Sequence, residues 1–320
     1  MREPSALATE LLPSGIRCVA LVPRGGARAT VLVLPGRGEF IEKYRETTSR
    51  LLGRRLAVVK FDWRGQGGSR RLLPQRHRGH IADFADYLED LEQVVAWIRR
   101  QELPGRCLIL AHSMGGHVAL RRLATAPEPF LAAAMIAPMF DIRLSLPRWV
   151  VEMIARAGAG LGAAGSYLPG QRDPDLARGR FEGNRLTSCP ESWALWRELL
   201  ARHRHLALGG VTYGWLAAGL RSIRLSRAPD MLERVMTPIL VLQAGQDRLV
   251  CNLAQEEFVR RLPAARLERF PDARHDLLWE RTPVREAALE SITDFFEAAL
   301  AEPGRLAAPL DPADSAVPSG

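Results

Sequence analysis

The chain has 320 residues, 47% of them hydrophobic, enough for a sizeable core and incompatible with global disorder. Its formal charge of +8 is carried almost wholly by arginine, since Lys43 and Lys60 are the only lysines. The arginines are scattered, which argues against a nucleic-acid partner and leaves contact with an anionic membrane surface open. No apolar run reaches the length of a membrane span. Met1-Arg2-Glu3-Pro4 lacks the positive-then-apolar pattern of an export signal, so a cytoplasmic protein, at most peripheral to a membrane, is expected. Cys18, Cys107, Cys189 and Cys251 lie far apart without metal-ligand spacing, and Cys107 reads as a small buried hydrophobe.

Residues 6–23 hold two short apolar stretches split by Pro13-Ser14-Gly15, a hairpin signal. Residues 29–34 are continuously apolar, as in a strand covered on both faces, and run into Pro35-Gly36-Arg37-Gly38-Glu39-Phe40. Helical spacing follows at Ile41, Tyr44, Leu51 and Leu52. The next buried strand, 57–61, is closed by Asp62-Trp63-Arg64-Gly65-Gln66-Gly67-Gly68-Ser69. The spacing of Ile81, Phe84, Leu88, Leu91, Val94, Val95 and Ile98 predicts a helix over 80–100. An apolar strand up to Ala111, a helix over 118–126 and a strand over 131–137 come next. This alternation predicts an α/β fold, a mostly parallel sheet layered by helices.

Between about 141 and 230 the alternation stops. This stretch holds Trp149, Trp193, Trp196 and Trp215, and Trp193, Trp196, Leu199, Leu200 and His203 share one helical face. Alternation resumes over 238–242, 253–262, 266–270 and 284–300. Residues 303–320, rich in Pro, Ala and Asp, are expected to be disordered.

The chemistry centres on Ala111-His112-Ser113-Met114-Gly115. A serine on a strand-to-helix turn needs small neighbours two positions away on either side, because the backbone doubles back there. The turn lifts the hydroxyl clear of the sheet and aims the helix's first amides at it. A serine hydroxyl is a poor nucleophile until a base takes its proton, and an acid must hold that base in the right tautomer. Asp247 follows one predicted strand and His275 another, so both belong at the edge where parallel strands end, beside Ser113. Asp272 and Asp276 sit too close to His275 in the same loop to orient it. His112 and His117 are expected to shape or pack the turn. The oxyanion of an acyl-transfer intermediate needs fixed N–H donors. The Met114 amide is one candidate. The other is the Arg37 amide, where Gly36 and Gly38 let the backbone come close.

The chain order Ser113, Asp247, His275, with the Pro35–Glu39 and Asp62–Ser69 segments, resembles the α/β-hydrolase superfamily. Within it the chain is similar to bacterial lysophospholipases and monoacylglycerol lipases. The resemblance implies a hydrolase core of residues 1–140 and 231–302 and a mainly helical cap over 141–230. It implies Ser113 as nucleophile, His275 as base, Asp247 as acid, and the Arg37 and Met114 amides as oxyanion donors. Gly36, Trp149 and Trp215 are then expected to line the substrate site. Two positions depart from the family pattern: Ala111 stands where glycine is usual, and Pro35 where relatives often carry histidine. The implied activity is cleavage of a carboxylic ester, with a small-molecule or lipid ester as substrate and no metal or cofactor. Peptidase, thioesterase or C–C hydrolase chemistry, or non-catalytic binding on the same fold, are the alternatives.

Overall fold

In a computed structural model, residues 5–176 and 179–301 are described; the tail expected beyond 302 lies outside them. The apolar runs become strands β1 (Ser5–Leu11), β2 (Arg17–Val22), β3 (Ala29–Leu34), β4 (Leu56–Phe61), β5 (Cys107–His112), β6 (Phe130–Ile136), β7 (Ile239–Ala244) and β8 (Ala265–Phe270). They form one sheet in the order β1-β2-β4-β3-β5-β6-β7-β8. The first hairpin pairs antiparallel within itself and with β4, and all later pairs are parallel. Every residue of β3, β4, β5 and β7 is buried. Such strands need cover on both faces, which is why, apart from Thr30, Lys60, His112 and Gln243, their sequences are apolar throughout rather than alternating.

The cover comes from α1 (Arg45–Gly53), α2 (Ala85–Arg100), α3 (Met114–Thr125), α8 (Asn252–Arg261) and α9 (Thr282–Ala301), and four further helices are inserted between β6 and β7. The four are α4 (Arg148–Gly158), α5 (Pro190–Arg202), α6 (Tyr213–Ser226) and α7 (Pro229–Glu233). The packing shows how they rest on the sheet. Ring-edge contacts run from Phe61 to Trp63, Tyr87, Phe84 and Trp215, joining β4 to α6 through the loop before α2. Ala155 of α4 packs with Leu216 and Leu220 of α6. On α5, Trp196 stacks on Phe40 with ring centroids 5.4 Å apart, and Leu199 and Leu200 join the same cluster. The shared face read from the sequence is therefore the face that meets the sheet-edge loops.

Two helix starts differ from the sequence expectation. The helix expected from 80 begins at Ala85, because the Asp83 carboxylate accepts from the Ala85 amide at 2.9 Å and ends the preceding loop there. Ile81 and Phe84 are still fully buried, so their spacing reports burial rather than helix. The helix expected from 118 begins at Met114, directly on the serine turn. Among the described residues no helix is long and apolar enough to cross a membrane.

The serine turn is also where the fold is tightest. A Cβ at Gly115 would lie 2.7 Å from the Leu34 carbonyl carbon and 2.8 Å from the Pro35 oxygen, both backbone atoms that cannot step aside. Gly115→Ala is therefore expected to lower unfolding free energy by about 2–3 kcal/mol or more, measured by urea denaturation, with α3 pushed off β3.

Candidate active site

Ser113 takes φ 51° and ψ −113°, a left-handed conformation unusual for a side-chain-bearing residue and the kind of strain found at functional turns. The strain is held by pinning. Its amide donates to Ile136 O at 3.0 Å, and its carbonyl accepts from Met139 N at 2.9 Å and Gly116 N at 3.0 Å. Ser113 is half-buried, so its hydroxyl sits neither in the core nor on an open surface. Ala111 is buried in the last part of β5 and fits, so the crowding that demands glycine falls on the Gly115 side.

His275 follows β8 and Asp247 follows β7, and the structure brings them together: Nδ1 of His275 lies 2.6 Å from Asp247 Oδ2. The other Asp247 oxygen accepts from the amides of Leu249 at 2.7 Å and Val250 at 3.0 Å. Burial alone would raise the Asp247 pKa, but the charge and hydrogen bond of His275 and these two amides outweigh it. Its carboxyl is held below the usual range and stays ionised. His275 reaches the serine turn through the residue before the serine: its ring centroid is 4.8 Å from that of His112, and its carbonyl oxygen is 3.2 Å from His112 Nε2.

The loop after β3 carries the expected second oxyanion donor. Its Gly36 amide donates to Glu39 Oε2 at 2.5 Å and its Gly38 amide to Gln66 Oε1 at 2.7 Å. Among the described residues no acceptor takes up the Arg37 amide between them, nor that of Met114 at the start of α3. The two flanking bonds thus fix the loop and leave the middle N–H for an incoming group. Trp63 adds a further tie by donating from Nε1 to Pro35 O at 2.8 Å.

Residues the sequence reading left without a role support this loop. Asp62 accepts from Ile41 N at 2.9 Å, Gly68 N at 2.7 Å and Arg17 Nε at 2.8 Å, which packs the 62–69 segment under the loop. Gln66 uses one amide end for Gly38 and the other for the Tyr87 hydroxyl. The clue in the sequence was the Asp62–Ser69 segment itself, whose small and polar residues mark a tight, hydrogen-bonded loop.

The Arg37 side chain has an unforeseen part. It is half-buried without a carboxylate partner, its NH1 donating to Gly209 O at 3.0 Å and NH2 to Gly210 O at 2.5 Å, and it lies 5.1 Å from the Trp215 ring centroid. Burial pushes its pKa down to about 10. One residue thus joins the loop after β3 to the segment that leads into α6. Of the other residues expected to line the substrate site, Trp215 is buried in that contact, and Trp149 is 67% exposed on α4. His117 is buried deeper, its Nε2 2.6 Å from Ser222 Oγ, and burial lowers its pKa to about 3, so it is neutral. Among the described residues no three His, Cys, Asp or Glu side chains gather to hold a metal ion.

The arrangement can take a proton from an alcohol and hold the resulting imidazolium against a carboxylate. Asp247→Asn is a selective check. Its Oδ1 can still accept from Leu249 and Val250, while its amide cannot accept from His275 Nδ1, so the imidazole turns to the wrong tautomer. Ester turnover is expected to fall on the order of 10³–10⁴-fold with little change in melting temperature, followed by p-nitrophenol release and circular dichroism.

Comparison with known proteins gives concordant results. The family described as serine aminopeptidase, S33 (Hydrolase_4) matches residues 25–282. Lysophospholipase L2 of Escherichia coli strain K12 is 32% identical over 283 residues, covering 83% of this chain and 79% of that protein. The probable lysophospholipase L2 of Haemophilus influenzae is 29% identical over 273 residues, covering 85% of each. Among solved structures, a soluble variant of monoglyceride lipase from Saccharomyces cerevisiae superposes with a TM-score of 0.71 at 17% identity, covering 93% of this chain and 96% of that one. A monoacylglycerol lipase from Paleococcus ferrophilus gives a TM-score of 0.70 at 18% identity, covering 89% and 99%. These structural likenesses speak to the fold.

Proposed function

Because the chain belongs to the serine aminopeptidase S33 family of α/β-hydrolases, we propose that it cleaves the carboxylic ester of single-chain lipids, as a lysophospholipase or monoacylglycerol lipase-like esterase. The observation that supports this most is the joint one of the Asp247–His275 pair and the strained Ser113 turn at one sheet edge, in a chain 32% identical to lysophospholipase L2. Ser113 attacks the ester carbonyl as His275 takes its proton. The amides of Arg37 and Met114 stabilise the oxyanion, and His275 then protonates the leaving alcohol. Water repeats the sequence on the acyl-enzyme and releases a fatty acid. Residues 141–230 serve as a cap over the acyl chain, tied to the core by the Arg37 contacts, with Gly36 and Trp215 toward the substrate path and Trp149, against the sequence expectation, turned outward.

The enzyme meets its lipid at a membrane surface. Outward on and beside α4 stand Leu146, Trp149, Met153 and Leu161, each more than half exposed, with Arg143 and Arg156 exposed nearby. The opposite face of α4 is taken by the packing of Ala155 against α6. An apolar stripe flanked by arginine suits the boundary between anionic headgroups and acyl chains.

Purified protein is expected to release p-nitrophenol from medium-chain acyl esters and fatty acid from lysophosphatidylcholine or monoacylglycerol, and Ser113→Ala to lose this by about 10³-fold or more. Undiminished turnover by the variant would remove Ser113 from the mechanism. Faster cleavage of aminoacyl p-nitroanilides than of esters would favour the peptidase chemistry in the family's description. For the membrane contact, Trp149→Ser with Met153→Ser is expected to weaken co-sedimentation with phosphatidylglycerol vesicles about tenfold or more. Turnover of a water-soluble short ester should be unaltered.

A further inference from the structure

Beneath Ser113 lies a cluster of charged side chains that the acyl-transfer steps do not use. Glu39 is buried and accepts from four donors: Gly36 N and the Tyr44 hydroxyl, each at 2.5 Å, His112 Nδ1 at 2.7 Å, and Lys43 Nζ. Lys43 also bonds the carboxylate of Asp276, the residue after His275. All four titratable members, Glu39, Lys43, His112 and Asp276, are 4–6% exposed. Around Lys43 the remaining space is filled by the rings of Tyr44, Trp196 and Trp279, with centroids 5.5–5.9 Å away.

The geometry decides a protonation state. His112 Nδ1 faces a carboxylate oxygen of Glu39, and His112 Nε2 faces the backbone carbonyl oxygen of His275 at 3.2 Å. Neither oxygen carries a proton to donate. A neutral imidazole has one N–H and one lone pair, so it would point the lone pair at an oxygen inside a buried site. With both nitrogens protonated, each contact becomes a hydrogen bond. The charges then balance, two carboxylates against one ammonium and one imidazolium, which a buried cluster requires.

We propose that His112 is a positioning residue held as a doubly protonated imidazolium, and that it completes a neutral cluster with Glu39, Lys43 and Asp276 which holds the oxyanion loop, the serine turn and the His275 loop in register. The proposal rests on the triad reading above. Its logic is positional: Glu39 grips the loop of Gly36 and Arg37, His112 is part of the serine turn, and Asp276 together with the His275 carbonyl fixes the backbone from which the base projects. The titratable groups facing His112 are Glu39 from the loop after β3, Lys43 from the turn before α1, and Asp276 and the His275 ring from the loop after β8. Burial and, to a lesser extent, the Lys43 charge would lower the His112 pKa, but the charge and hydrogen bond of Glu39 and the charge of Asp276 outweigh them and leave it raised. The Glu39 carboxyl, which burial would raise, is held well below the usual range by His112 and Lys43. A raised histidine pKa means that the stability His112 lends is fully present below its unfolded value and is lost as pH rises through the folded one.

Nitrogen-15 NMR of the full-length protein labelled at its seven histidines tests this at pH 7, the His112 signals being identified by their absence from His112→Asn. Both His112 nitrogens are expected to be protonated. One bare nitrogen in the wild-type protein overturns the proposal. His112→Asn, with one donor in place of two, and the isosteric Glu39→Gln are each expected to lower kcat about ten- to hundredfold. KM should stay within about twofold, and the proton between His275 Nδ1 and Asp247 should broaden. Variants that lose melting temperature while kcat per folded molecule and that proton are unchanged would make the cluster merely structural and overturn the positioning role. Failure of Ser113 to react with a fluorophosphonate probe would count against the triad reading, whereas the protonation state of His112 is read without any turnover.

Discussion

A carboxylate taken out of water must be surrounded by donors, and Glu39 meets that demand by drawing them from separate parts of the chain. Its partners are an amide of its own loop, a hydroxyl and an ammonium from the following turn, and the imidazole of the serine turn. Lys43 extends the grip to the loop of His275. Buried ion clusters are weak evidence for stability, since desolvation offsets much of their attraction. Their value here is directional, because each partner has to stand where the charge is. Loops that would otherwise float at the sheet edge are thereby given one common reference.

The sheet brings those loops within reach of one another. In a parallel array the strand ends lie on one edge, so β3, β5, β7 and β8 deliver the Arg37 loop, Ser113, Asp247 and His275 to the same rim. The strain at Ser113 is sustained by what surrounds it: the backbone of Leu34 and Pro35 presses where Gly115 has no Cβ, and β6 and the residues after it hold the turn by its amide and carbonyl. Arg37 then links this rim to the inserted helices. Its guanidinium finds carbonyls of Gly209 and Gly210 and the face of Trp215 in place of a counter-ion. The residue proposed to offer its amide to the oxyanion therefore also touches the segment leading into α6.

Much of this was legible in one dimension. Continuous apolar runs announced buried parallel strands because such strands have no wet face to pattern. Small residues around Ser113 announced a sharp turn because a Cβ there has nowhere to go. That Ser113, Asp247 and His275, each placed after a predicted strand, meet at one rim followed from the topology of a parallel sheet. The helix face of Trp196, Leu199 and Leu200 was also readable, since its period reports burial whatever it packs against. The same property misled at Ile81 and Phe84, which are buried from a loop that Asp83 closes.

What lay beyond the sequence were the partnerships that depend on distance through space. Asp276 read only as an acid too close to His275 to orient it, and Lys43 carried no role in the sequence reading. Their pairing spans 233 positions and exists only because β8 and the turn after β3 end on one rim. The same holds for the two bonds of His112 and for the carbonyls of Gly209 and Gly210 on Arg37, 172 and 173 positions away. Local physics, such as periodicity, turn sterics and burial, is written along the chain and can be read from it. The protonation and placement of a buried charge depend on which segments close around it, and that is settled only when the chain has folded.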